Sequence, residues 1–290
     1  MRFRVRHTTT YDYSEPVSLC HNEIHLIPRS YVQQTCHDYR ITISPEPVSL
    51  NERTDYFGNR AVGFTVQEPH HTLEVHADSD VDVRAYAAPA ATLTPAWEDV
   101  RVGMSGPGAI RHLEAVQYLY DSYYVRNTEF LLPYAQQSFT PSRSILEAAV
   151  DLTHRINTDF KYDSNATNMN TSIAEAFKIK RGVCQDFAHL QIACFRALGL
   201  PARYVSGYLL TNPQPGQERL VGVDASHAWL SFYCPGFGWI DLDPTNACIP
   251  SDKHVLLAWG RDYADVCPVK GVILGGGKHS IKVAVDVTPA

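Results

Sequence analysis

The sequence predicts an α+β protein. It is divided into an antiparallel β-sandwich domain over residues 1–85, a linker over 86–110, a mixed core over 111–268 and a C-terminal β-hairpin over 269–290 that packs on the core or on the β domain. Three observations carry this reading. The first 85 residues alternate polar and apolar in short runs separated by turn residues, the period-2 pattern of half-buried strands. After about residue 110 the period lengthens to that of a helix, and strands return only beyond residue 202, so there is no βαβ alternation. With 290 residues, 44% apolar and 19% charged, the chain can bury a sizeable core and is not disordered.

Taken in order, strands are expected at residues 2–7, 23–27, 38–43, 61–66 and 72–76, with turns at Pro28-Arg29-Ser30, Pro45-Glu46-Pro47 and Phe57-Gly58-Asn59 between them. Tyr11, Tyr13, His70 and His71 have no spacing that suggests chemistry, so this domain reads as one that supports or gates something else. The Ala- and Pro-rich stretch from Ala85, with Pro95 and the glycines at 103–108, has no sustained period and reads as the linker. A helical stripe follows through Leu113, Val116, Tyr120 and Tyr123. A second runs through Ile145, Ala148, Ala149, Leu152 and Ile156, opened by the capping box Ser144 to Glu147. Ser172 to Glu175 opens a short helix, and residues 184–198 form another, stopped by Gly199 and Pro201. Strands return at 202–210, 227–233 and 239–242, and the tail 279–287 alternates cleanly. Gly275-Gly276-Gly277 reads as its hairpin turn and lacks the spacing of a nucleotide loop.

Twenty-five Lys and Arg against 31 Asp and Glu leave a net charge of −6, which gives no electrostatic reason to expect nucleic acid or an anionic membrane as partner. No window approaches the roughly 18 apolar residues of a membrane helix. The opening Met1 to His7 alternates charged and apolar groups where a signal peptide would be apolar, so a cytoplasmic protein is expected. Seven cysteines without an export signal argue against a disulfide framework. With no CxxC or HExxH among them and the 13 histidines, neither a metal nor another cofactor is expected.

Arg181-Gly182-Val183-Cys184-Gln185-Asp186-Phe187 places a thiol where a glycine-bearing turn enters a helix. There the unsatisfied N–H groups and the macrodipole favour thiolate. On position alone, a buried cysteine at a helix start fits equally well. Cys194, mid-helix on the apolar stripe, should be inert. Asp186 fits a first-turn acid favoured by the dipole, and His189 a structural histidine pointing elsewhere around the helix. His227 opens a strand in Ser226-His227-Ala228-Trp229-Leu230, and Pro235 to Gly238 folds the next strand, Trp239-Ile240-Asp241-Leu242-Asp243, back on it. A five-residue loop pairs Tyr233 with Trp239, puts Asp243 one diagonal step from His227 and leaves Asp241 opposite Ser231. A slip of one residue would send Asp243 to the other face. Nucleophile, base and orienting carboxylate would then be Cys184, His227 and Asp243.

At these residues the sequence resembles the bacterial transglutaminase-like superfamily. The matching segments are Gly182 to Leu190, Ala197 to Tyr208, Ser226 to Leu230, Gly238 to Asn246 and Gly260 to Val266, and the first 85 residues resemble the β domain that precedes the core in many bacterial members. The resemblance implies a papain-like core with its nucleophile at Cys184, its general base at His227 and its carboxylate at Asp243. It also implies attack on an amide carbonyl through a thioester, with a second, side-chain oxyanion donor that no residue in the sequence identifies. Hydrolysis of a peptide or protein amide is the leading expectation, with acyl transfer to an amine and a non-catalytic scaffold of the same fold as alternatives. No EF-hand-like acidic loop suggests calcium. If the β domain only shapes access, a chain starting near residue 100 should keep a reactive Cys184 while losing specificity or solubility.

Overall fold

The computed structural model describes residues 1–211 and 225–290. The N-terminal strands are β1 (Arg2–Ile24), β2 (Gln34–Ser44), β3 (Ser49–Thr54), β4 (Arg60–Val66) and β5 (His70–Val83). The strands expected at 2–7 and 23–27 are the two ends of a single strand, β1. Its middle carries Tyr11, Tyr13 and Pro16, and its pairing with β5 shifts register between Asp12 and Val17. A bulge at this point lets one strand serve two halves of a sheet. The first half of β1 pairs with β5 and the second with β4, giving the order β2-β5-β1-β4-β3. Along the first half, Phe3, Val5, His7 and Thr9 face inward. Arg2 and Arg6 face outward and bond Asp80 and Asp78 of β5, which complements the register more than it adds stability.

A helical layer follows: α1 (Trp97–Gly103), α2 (Leu113–Val116), α3 (Leu132–Ala135) and α4 (Ile145–Asp159). The expected linker is therefore not structureless. Helix α1 buries Trp97 and Val100, and the Trp97 indole donates to the Thr140 carbonyl at 2.9 Å. The stripe through Leu113, Tyr120 and Tyr123 does not form. Only one helical turn is present there, those three side chains are exposed, and Ala115 and Tyr118 are the buried ones. Helix α4 buries all five stripe residues, and the Ser144 hydroxyl caps it by accepting from the Glu147 N–H.

The core continues through β6 (Lys161–Tyr162), α5 (Ile173–Ile179), β7 (Arg181–Gly182), α6 (Cys184–Ala197), β8 (Ala202–Leu209), β9 (Ala225–Cys234), β10 (Gly238–Leu242), β11 (His254–Gly260) and α7 (Tyr263–Val266). Strands β10-β9-β8-β11 form an antiparallel sheet. Helix α6 lies against it with Phe195 stacked on Phe232 at 5.3 Å, and α3, α4 and α5 cover the helix from the other side.

The chain ends in β12 (Val269–Gly275) and β13 (His279–Pro289). These are not a hairpin, because each pairs with β1: Val269–Gly275 along Ile24–Val17 and His279–Pro289 along Tyr13–Phe3. Together they run as one interrupted strand antiparallel to the whole of β1. Gly275, Gly276 and Gly277, all at positive φ, sit beside the β1 irregularity, and Gly276 donates to the Pro16 carbonyl at 3.1 Å. The triplet lets the backbone follow a kink in its partner without turning back. Residues 1–83 and 269–289 thus build one seven-stranded sheet. It joins the core through Gln34, whose amide donates to the Leu256 carbonyl and accepts from the Leu256 N–H, and through Arg29, whose guanidinium lies 3.6 Å above the Trp259 ring.

Candidate active site

Cys184 is the first residue of α6 and follows Gly182 and an extended Val183. The Asp186 carboxylate folds back to accept the Val183 N–H at 2.8 Å and the Thr167 hydroxyl at 2.6 Å. It fills the space where a Cβ on residue 182 would sit, 2.5 Å from Oδ2, so glycine there is a requirement of close packing. Asp186 is therefore a cap that fixes the turn before the thiol. Burial raises its pKa, against the two hydrogen bonds. Strand β6 runs parallel to β7 and sets Tyr162 beside Gly182; burial, and then Cys184, push the phenol up.

His227 lies on β9. Strand β10 pairs with it in the register Trp239 to Tyr233, Asp241 to Ser231 and Leu242 to Leu230. The ladder ends there, and Asp243 turns into an isolated bridge with Cys248. Its Oδ2 lies 2.7 Å from Nε2 of His227. Nε2 being taken by the carboxylate, Nδ1 is the ring nitrogen left for the thiol. Burial opposes charge on the imidazole, but hydrogen bonds to Asp243 and to Cys184 override it and raise the His227 pKa to about 10. The structure thus brings Cys184, His227 and Asp243 together in that order. Asp241 does not reach His227: it accepts from the Trp229 indole at 3.0 Å and from the Ser231 hydroxyl, and its charge offsets part of the cost of burying Arg203.

Two residues at the site had escaped the sequence reading. His254, at the start of β11, puts its Nε2 3.0 Å from the same Asp243 Oδ2. Asn246 donates to that oxygen at 2.7 Å, while the Thr245 and Asn246 N–H groups cover Oδ1. Burial works against the Asp243 carboxylate, but bonds from His227, His254 and Asn246 hold it well below the usual range. Ligand atoms of His227, Asp243 and His254 lie within 4.8 Å of one another, a set that could hold a divalent ion but whose members here bond one another. His189 is buried against Tyr124 and Tyr204, accepts from the Tyr263 N–H and is pushed down to about 4 by burial, which makes it structural.

The thiol and imidazole open on a cavity of about 490 Å³ whose other walls include β1 and β13. The N-terminal sheet therefore forms part of the site.

Residues 3–82 match the bacterial transglutaminase-like N-terminal region, and residues 133–244 match the transglutaminase-like superfamily. An uncharacterized protein of Mycobacterium tuberculosis is 42% identical over 297 residues, covering 99% of this chain and 93% of that protein. A stretch of 75 residues, 26% of this chain, is 36% identical to a protein-glutamine gamma-glutamyltransferase of Pseudomonas aeruginosa, of which it covers 11%. The crystal structure of a candidate cysteine protease from Cytophaga hutchinsonii superposes with a TM-score of 0.76 over 100% of this chain and 91% of that one, at 23% identity, a likeness of fold. With both of its parts matched and a relative of 42% identity covered nearly end to end, the chain belongs to the transglutaminase-like superfamily, with a bacterial transglutaminase-like N-terminal region.

Proposed function

We propose that this protein is a cysteine enzyme that cleaves an amide of a peptide or protein through Cys184, His227 and Asp243. The observation that carries the reading is the single buried imidazole bonded to a thiol on one side and a carboxylate on the other. With its pKa near 10, His227 is imidazolium at neutral pH and balances a Cys184 thiolate. The thiolate adds to the amide carbonyl, and the oxyanion meets the free N–H groups of the first turn of α6. The C–N bond then breaks, the His227 proton passes to the leaving amine, and a thioester remains. Neutral His227 next takes a proton from the incoming nucleophile, which adds to the thioester carbonyl; the C–S bond breaks, the acyl group is released and the thiolate–imidazolium pair is restored.

Water as that nucleophile gives hydrolysis. Among the described residues no Asp or Glu lines the cavity, so nothing there seats the ammonium of a lysine acceptor, which favours water. Transfer to an amine is the second reading, favoured by the 75-residue likeness to the glutamyltransferase. A thiol-directed acyl-donor probe, applied with and without a primary amine, tests both. Labelling at Cys184 with the free acid as product supports hydrolysis, amine incorporation supports transfer, and a probe that leaves Cys184 unmodified overturns the reading.

A further inference from the structure

The cavity at Cys184 has a wall of unusual origin. Three cross-strand pairs, His7 with Val285, Thr9 with Val283 and Tyr11 with Ile281, present their side chains to it from one face of the β1–β13 ladder. They form a graded ramp: Val285 is 1% exposed, Val283 49% and Ile281 54%. Exposed branched side chains aligned on one strand are costly to leave in water unless something covers them. Here they face the thiol across the recess.

The His7 and Thr9 side chains of the ramp are already engaged. His7 bonds the Tyr208 hydroxyl through Nδ1 at 2.9 Å and the Thr9 hydroxyl through Nε2 at 2.7 Å, and burial pushes it down to about 4, so it is neutral at physiological pH. None of the described lining residues is Lys, Arg, Asp or Glu. Apart from Cys184 and His227, whose charges balance each other, a charged side chain entering the recess would lose its water and find no counter-ion. The volume, about 490 Å³, is within the range of about 300–1,000 Å³ found for small-ligand sites. After the amine leaves, only the acyl half of a substrate stays attached to Sγ, so a recess opening on Sγ is the one that half occupies.

We propose that the recess between Cys184 and the β1–β13 ramp binds an apolar side chain, branched aliphatic or aromatic, on the acyl side of the scissile amide, with Val283 and Ile281 as specificity-determining residues. The assignment rests on Cys184 being the nucleophile.

The test uses peptidyl acyloxymethyl ketones with Leu, Phe, Gln, Lys or Asp at each of the two positions on the acyl side, reading the second-order rate of Cys184 labelling by mass spectrometry. At one of these positions Leu or Phe should label at least about tenfold faster than Gln, Lys or Asp. In Val283→Asp the Leu probe should slow about tenfold while the Lys probe speeds up, which reverses the charge preference. If that variant is unfolded by circular dichroism, Ile281→Asp at the exposed mouth carries the same measurement. Equal rates across the panel, a preference for Gln or a charged residue, or an unmoved Leu-to-Lys ratio in the folded variant overturns the assignment. Iodoacetamide, which has no side chain to seat, separates the two readings on the wild-type protein. A Cys184 inert to it removes the nucleophile and this proposal with it, whereas a reactive Cys184 with a flat panel removes the apolar recess alone.

Discussion

His254 shares with His227 a single oxygen: its Nε2 lies 3.0 Å from Asp243 Oδ2, the atom that His227 holds at 2.7 Å. A carboxylate contacted in this way is fixed from two sides, and the second imidazole helps keep it ionised. His254→Leu should therefore cost about tenfold in labelling rate and move the acid limb of the pH–rate profile upward, because Asp243 loses a donor that favours its charged form. A profile with an unshifted acid limb would show that His254 is only packing.

Asp241 within β10 and Asp243 just beyond its end have separate duties. Asp243→Asn should lower the rate by about two to four orders of magnitude, since the imidazole loses the group that fixes its tautomer and charge. Asp241→Asn should cost at most about tenfold in rate. Its effect belongs to stability, about 1–3 kcal/mol, because Arg203 is buried between Trp239 and Trp259 and depends on that charge. Parallel labelling rates and thermal melts of the two variants separate these effects, and a crippled Asp241→Asn would exchange the roles.

Thiol reactivity should be strongly ranked. Burial pushes Cys194 up to about 12 and Cys234 up to about 11, and burial with the Asp243 charge does the same to Cys248, also about 11. Cys184 opens on the cavity beside an imidazolium. Iodoacetamide at pH near 6.5, mapped by mass spectrometry, should mark Cys184 first; Cys194 or Cys234 marked first would contradict the arrangement.

The pairing of His227 with Asp243 also makes stability depend on pH. His227 is raised above its ordinary 6.5 to about 10, so its contribution is complete below 6.5 and is lost as pH climbs through 10. The Asp243 carboxyl is held below its ordinary 3.8, so its contribution is present above that value and lost only in strong acid. His7 and His189, both pushed down to about 4, act the other way, losing theirs as pH falls from 6.5 toward 4. They are common to wild type and variant and cancel in the difference. The Tm gap between wild type and Asp243→Asn should thus be widest between about pH 4 and 6.5 and narrow as pH climbs toward 10. A gap constant to pH 10 would rule out the charged pair.

The join between sheet and core should be sensitive to Gln34. Its amide stands in for a neighbouring strand by satisfying both backbone groups of Leu256. Gln34→Ala leaves them buried without partners and should cost about 1–3 kcal/mol by denaturant unfolding. For the same reason, and because β12 and β13 pair only with β1 in that sheet, a chain starting near residue 100 should fail to give a soluble protein with a labelled Cys184. The sequence allows for the loss of solubility; the loss of a labelled Cys184 reverses its expectation.

The geometry around His227 was legible because a short hairpin loop sets a register, and a register carries a side chain to a definite face: Trp239 pairs with Tyr233 and Asp243 follows. His254 was not, since it lies 11 positions beyond Asp243 across a stretch without a period, and only the tertiary path returns it to the same oxygen. Asn246 stood within a motif already in view, but its role depends on how the turn after Asp243 closes. Helix α1 was hidden by its Ala-, Pro- and Gly-rich surroundings, although Trp97, Val100 and Met104 have helical spacing and are buried. Three consecutive glycines are a strong turn signal, and the backbone spends them on following the kink in β1. Alternation in residues 279–287 announced a strand without naming its partner, which lies at the other end of the chain.

That partner sets an order of events during translation. In synthesis β1 precedes Cys184, and β13 follows it. A nascent chain that has already made Cys184, His227 and Asp243 still lacks Val283 and Ile281, and half of the ramp waits for β13. Pairings between sequence-distant ends also form slowly, because the whole intervening loop must be closed first. The proposed nucleophile and the proposed ramp therefore come together only after β13 has closed on β1, as a late step of folding.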